Sequence, residues 1–106
     1  MIIDAGSLSF SALNEQLRAA GPDCRIRECL GQRFIAAGMG QKRIVIDGIP
    51  GNALGAYLSG ADIVVNGNAQ DAVGDTMNDG RIVVYGSIGD AAGYAMRGGV
   101  IYVRDN

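Results

Sequence analysis

From residue 35 onward the chain repeats every 19 residues, and that period restricts its possible folds more than any other feature. Gly55, Gly74 and Gly93 keep the step, and so do Gly48, Gly67 and Gly86. Ile44, Ile63, Ile82 and Ile101 form one apolar column, and Ile46, Val65, Val84 and Val103 form a second. Met39, Leu58, Met77 and Met96 make a third; Ile35, Leu54, Val73 and Ala92 make a fourth. Ala53, Ala72 and Ala91 align beside Asn52, Asp71 and Asp90, and no insertion or deletion breaks the step. Nineteen residues are too few for a helix–turn–helix unit, and each glycine inside a helix would cost about 1 kcal/mol relative to Ala. The runs Ile63-Val64-Val65, Ile82-Val83-Val84 and Val100-Ile101-Tyr102-Val103 are instead β-branched and flanked by glycine turns. A short strand, a turn, a second short segment and another turn make one coil of an all-β parallel solenoid (β-helix). Equivalent residues then stack about 4.8 Å apart, as neighbouring strands do. An antiparallel sandwich gives no reason for residue type to persist at each position of the repeat.

The first 30 residues lie outside the repeat. Met1 to Asp4 reads as a strand, and Ser9 to Ala20 as one helix, with Phe10, Leu13, Leu17 and Ala20 on one stripe. Ser7 or Ser9 suits the N-cap, Gly21 the position after the C-cap, and Pro22 the stop. Cys24 to Cys29 reads as the lead-in strand. Because a solenoid exposes strand edges at its ends, this helix is expected to cap the first coil. At the other end Asp105 and Asn106 fall in the columns of Gly86 and Ser87, so an uncapped coil edge is expected there. The expected organisation is a single domain, with strand and capping helix in 1–30 and β-helix repeats in 31–106.

The composition removes several kinds of chemistry. The 106 residues include no His, which excludes Ser/His/Asp and Cys/His catalysis and a histidine base near neutral pH. Cys24 and Cys29 are too few for a four-thiolate cluster and match neither a C-x-x-C redox pair nor a zinc knuckle. They read as two free thiols, at least one of them buried. A net charge of -2 gives no footprint for nucleic acid or an anionic membrane. No apolar run or N-terminal leader indicates membrane insertion or export, so a cytoplasmic location is expected. The 17 glycines stand well above the average of about 7%. Gly48-Ile-Pro-Gly-Asn-Ala-Leu-Gly55 and its repeats lack the spacing of a phosphate loop. Gly48, Gly55, Gly67, Gly74, Gly86 and Gly93 are therefore assigned to structural turns. No catalytic, cofactor-binding or metal-binding residue is assigned. Asn52, Asp71 and Asp90, and likewise Asp47 and Asn66, are expected to bond turn backbone rather than hold Ca²⁺. Met39, Met77 and Met96 read as core filler, and Tyr57, Tyr85, Tyr94 and Tyr102, which share no column, as partner contacts.

The segments Gly48–Gly55, Asn66-Gly-Asn-Ala-Gln-Asp-Ala-Val-Gly74 and Gly86-Ser-Ile-Gly-Asp-Ala-Ala-Gly93 carry a resemblance. So do Met77-Asn-Asp-Gly-Arg-Ile-Val-Val-Tyr-Gly86 and Met96-Arg-Gly-Gly-Val-Ile-Tyr-Val103. Residues 31–106 resemble the GXGXG domain of the glutamate synthase large subunit, which also occurs as a small separate protein. They are similar as well to the C subunit of formylmethanofuran dehydrogenase. The Asn14-Glu-Gln-Leu17 segment and Gly31-Gln-Arg-Phe-Ile35 resemble the standalone glutamate synthase form more. The resemblance implies a right-handed parallel β-helix that performs no chemistry and acts as a rigid spacer between glutaminase and flavin/iron–sulfur domains. It carries over no catalytic residue and no cofactor. The implied role is a scaffold subunit of a glutamate-synthase-like oxidoreductase in glutamate biosynthesis, with catalytic glutamate synthase-type subunits or domains as partners. The alternatives are a formylmethanofuran dehydrogenase or formyltransferase scaffold, or a homo-oligomer formed through the C-terminal coil. The family domain is longer, so this chain is expected to correspond to its first part.

Overall fold

A computed structural model describes residues 1–104. Its order is β1 (Ile2–Asp4), α1 (Phe10–Ala19), β2 (Asp23–Leu30), β3 (Arg43–Ile49), β4 (Ser59–Asn66), β5 (Asp79–Val84) and β6 (Val100–Val103). All strands are parallel and pair in sequence order, β1-β2-β3-β4-β5-β6. This is a β-solenoid of about five turns with coils of about 19 residues. Ile44 pairs with Ile63, Ile63 with Ile82 and Ile82 with Ile101, so the sequence column is a physical ladder. The register shifts at two places, between Ile26 and Cys29 in β2 and between Ser59 and Asp62 in β4. Gly60 and Ala61 there stand against Gly80, so the strand bulges while the whole coil keeps its period. Expectations for Asp105 and Asn106 lie outside the described residues.

Alternation along each strand sends one set of side chains inward. The Ile44/Ile63/Ile82 and Ile46/Val65/Val84 ladders are fully buried. Ile35, Leu54, Val73, Leu58 and Met77 close on them from the opposite side of the coil. That opposite side is not a strand. Its residues occupy the left-handed region at three columns: Phe34, Ala53, Ala72 and Ala91; Ala36, Gly55, Gly74 and Gly93; and Gly38, Tyr57, Thr76 and Ala95, with φ from 52° to 69°. The peptide groups consequently point along the solenoid axis and bond to neighbouring coils in both directions. Ala53 donates to Asp71 O (2.9 Å), Gly55 to Ile35 O (2.9 Å) and Tyr57 to Asp75 O (2.8 Å), and the next coil repeats the pattern. A left-handed L-residue costs roughly 1–2 kcal/mol, and these inter-coil bonds hold each one in place.

The two glycine columns have different physical causes. Gly55, Gly74 and Gly93 share φ of 67–69°, and a Cβ on Gly74 would lie 2.6 Å from Ile101 Cδ1. Gly48 and Gly67 have φ of 128° and 155°, whereas Gly86 has no positive φ. A Cβ on any of these three would overlap the carbonyl oxygen of the coil before it, so close stacking explains this column as a whole.

Ser9 caps α1, accepting a hydrogen bond from Ala12 N–H at 3.1 Å. The helix is shorter than the Ser9–Ala20 expectation and closes without a left-handed glycine. Ala20 is extended (φ -76°, ψ 164°), and Lys42 Nζ donates to Ala20 O and Gly21 O at 2.8 and 3.0 Å. Pro22 keeps Gly21, the residue before it, from continuing the helix, and the chain must run straight into β2. The helix supplies the non-strand half of the first turn and covers that half of the core, while β1 supplies the strand half. Leu13 and Leu17 are fully buried beneath the coil at residues 34–39.

Asn14, 7% exposed, makes the junction: its Nδ2 donates to Phe34 O at 2.8 Å and its Oδ1 accepts from Ala36 N–H at 2.8 Å. A side-chain amide thus supplies the peptide group that a preceding coil would offer. Asn14→Leu keeps the branched shape but leaves the Ala36 N–H unpaired, and should cost about 1–3 kcal/mol in denaturant unfolding; an unchanged midpoint would contradict this role. Ile82→Asp puts an unpaired charge in the buried ladder and should abolish cooperative unfolding by circular dichroism. Gly74→Val combines backbone strain with the Ile101 overlap and should cost at least about 2 kcal/mol; native-like stability would refute the shared geometry of that column.

Candidate functional site

The residues singled out by sequence sort onto the faces of the solenoid. Asn52, Asp71 and Asp90 stack in one column, and the first two bond the backbone, but of the next coil rather than of their own turn, whereas Asp47 and Asn66 bond side chains instead. Asn52 Oδ1 accepts from Asp71 N–H (3.0 Å), and Asp71 Oδ1 from Asp90 N–H (2.8 Å). Asn68 Oδ1 repeats the device with Ser87 N–H at 2.9 Å. Their acceptor capacity serves the stack, and among the described residues no group of three or more His, Cys, Asp or Glu side chains converges as a metal site.

On the outer face of the sheet, charged residues run alongside a stripe of Val45, Val64, Val83 and Tyr102. Arg25 clasps Asp47 through two hydrogen bonds of 2.6 and 2.9 Å, and Asn66 Nδ2 donates to the same carboxylate at 3.0 Å. Bonds from Arg25, then Asn66, hold the Asp47 carboxyl below the usual range. Arg81 pairs with Asp62 at 2.9 Å, and Arg27 lies 3.5 Å from Asp4. Such exposed pairs contribute little to stability individually; here they set neighbouring coils in register.

Cys24 and Cys29 are both free and buried. Burial pushes the Cys29 thiol up to about 11, and its Sγ lies 3.5 Å from Gln32 Oε1. A thiolate nucleophile needs the opposite environment. Met39 and Met77 lie in the core, with Met96 packed against it. The four tyrosines, which share no sequence column, are exposed as two pairs. Tyr57 and Tyr94 flank Asp75 and Thr76 on the non-strand side, through the bonds Tyr57 N–H to Asp75 O and Thr76 N–H to Tyr94 O. Tyr85 and Tyr102 lie near Arg81 on the sheet side.

The ends of the stack differ. At the first coil, Gln32, 9% exposed, donates from Nε2 to Ala5 O, Gly6 O and Leu8 O at 3.1–3.3 Å. Its Oε1 accepts from Leu30 N–H at 2.9 Å. Asn14, Gln32 and Lys42 are the positions that sequence reasoning missed. Asn14 carried a signal, a polar residue between Leu13 and Leu17 on the buried helix face; the other two carried none. At the last described coil, β6 has a strand neighbour on one side only. Met96 and Ile101 are only partly buried, and Val103 is 39% exposed.

Comparison with known proteins agrees with this architecture. A protein of Methanocaldococcus jannaschii, "Uncharacterized protein MJ1350", is 45% identical in an alignment 68 residues long that covers 57% of this chain. The chain spans about a quarter (26%) of the length of that curated relative. No solved structure matches. The family model described as "GXGXG motif" matches residues 11–106, which takes in α1 from Ser11 onward and strands β2 to β6. With glycine columns that stack as left-handed corners and close backbone approaches, the chain belongs to the GXGXG motif family.

Proposed function

We propose that this chain is a non-catalytic scaffold subunit or domain of a glutamate-synthase-like oxidoreductase, in the cytoplasm and without a cofactor of its own. The observation that carries this reading is the GXGXG family match across 11–106, a family tied to glutamate synthase-like proteins. The physical form suits the role. Interior coils are bonded to both neighbours through strand and non-strand segments alike, so the body resists bending and offers fixed faces to larger partners. Its partners on this reading are the glutaminase-bearing and flavin-bearing subunits or domains, and the chain corresponds to the first part of a longer GXGXG unit. The glycines at 48, 55, 67, 74, 86 and 93 serve the stack and take no part in binding.

A second reading, self-association, draws on the exposed edge of β6 with Ile101 and Val103 beside it. Strand edges of this kind pair readily with another chain.

Co-expression with the catalytic subunits, followed by light scattering and visible absorbance, tests both readings. The expected outcome is a stoichiometric complex with glutamine-dependent glutamate formation, and a lone chain without flavin absorbance or turnover. Flavin bound stoichiometrically by the isolated chain would overturn the scaffold reading. Assembly only with itself would favour the second reading, and assembly with formylmethanofuran dehydrogenase subunits would move the scaffold to that complex. The non-catalytic reading also predicts thiol behaviour. At pH 8, below the raised Cys29 value of about 11, an aromatic disulfide reagent should modify neither thiol of the native protein, and both should react after unfolding. Immediate modification of the native protein would reveal a reactive cysteine and contradict it.

A further inference from the structure

An open groove of about 360 Å³ lies at the first coil, between the Gly6–Phe10 loop and the Leu30–Arg33 segment. Leu30, 73% exposed, stands on one wall, and Leu8 and Phe10 line the other. Ile49, the strand partner of Leu30, and Phe34 extend the exposed apolar surface beside it. These apolar side chains share the concavity with the polar Ser7, Ser9, Gln32 and Arg33. Gln32 bonds both walls, three carbonyls of one and the Leu30 N–H of the other, so the groove is held open in advance.

Its charge has one sign. The Arg33 guanidinium sits 5.1 Å from the Phe10 ring centre and 5.9 Å from that of Phe34, a geometry that fixes its position. Arg25, Arg27 and Arg81 each have an aspartate within 3.5 Å, whereas Arg33 has no ion-pair partner among the described residues. Among the described residues no acidic side chain lines the groove; Glu28 comes near Gly6 at its edge and makes no pair with Arg33. The surroundings carry the same bias: residues 1–43 hold six basic and four acidic side chains, and the remainder three and seven.

We propose that this groove docks an extended segment of a partner protein that carries an apolar side chain next to a carboxylate. The apolar group packs over Leu30 and Leu8, and the carboxylate pairs with Arg33. Ordering is already done by Gln32 and the two phenyl rings, so binding immobilises little of this chain. The proposal is independent of the scaffold assignment, because the groove lies at the end of the solenoid opposite β6 and its test requires no enzyme subunit.

Selection of a random peptide library on the immobilised 106-residue chain, followed by fluorescence anisotropy of the enriched peptides, tests it. Enriched sequences should pair Asp or Glu with an apolar residue, and Arg33→Glu or Leu30→Asp should each weaken binding at least tenfold. Both sites are on the surface, so unfolding temperatures should stay within a few degrees, and Tyr57→Ala should bind normally. A Glu→Lys peptide should recover binding to Arg33→Glu. Failure to enrich any peptide, enrichment without acidic residues, or affinity unaffected by both groove substitutions would overturn the proposal.

Discussion

Main-chain hydrogen bonds between successive coils are the constraint on which every other feature depends. They fix the spacing at that of neighbouring β-strands, about 4.8 Å, and each coil must then present the same shape as the one below it. Residue type persists for that reason in the Ile44/Ile63/Ile82 ladder. It also explains why Gly48, Gly67 and Gly86 cannot carry a Cβ without meeting a neighbouring carbonyl. On the non-strand side the same demand is met by left-handed residues, which turn peptide groups up and down the axis. Asn52, Asp71 and Asn68 add side-chain acceptors to that network.

A stack built from identical steps has two unlike ends. At the first coil, one helix and two amides complete the hydrogen bonding. Asn14 stands in for a missing peptide group, and Gln32 ties the preceding loop to the coil. The helix closes the core there, and the Gln32 clamp shapes the groove beside Arg33. Toward β6 the ladders run to Ile101 and Val103 with a strand edge beside them. An interior devoted to stacking leaves chemistry only at faces and ends, which suits the scaffold role proposed above.

Much of the fold was legible in the residues because the solenoid is nearly one-dimensional: a 19-residue step in sequence becomes one strand spacing in space. The parallel order and the buried columns follow from that mapping, and the N-terminal helix from its own apolar stripe. Details that depend on contacts within the coil did not. Ala53, Tyr57 and Thr76 adopt left-handed geometry, which glycine would have advertised and these residues do not. The acidic column was expected to bond turn backbone, and it does so across coils, which no local turn rule distinguishes. The helix ends through extended Ala20 and Lys42 rather than through glycine, because the link to β2 decides the geometry.

The sequence by itself determined the period, the inward columns and the residues that stack, since these are properties of spacing and residue type. It also determined which chemistries lack side chains to support them. Tertiary structure alone decided that Asn14 and Gln32 seal the first coil, that the two glycine columns serve different purposes, and that Arg33 lies over two touching phenyl rings with no ion-pair partner among the described residues. The Asn14 and Gln32 contacts join positions 20 to 27 residues apart that the repeat does not relate, and the two glycine columns part company only once one coil is stacked on the next. Periodicity records what each coil shares with the next, and the ends, where function is proposed to lie, are the places where that sharing stops.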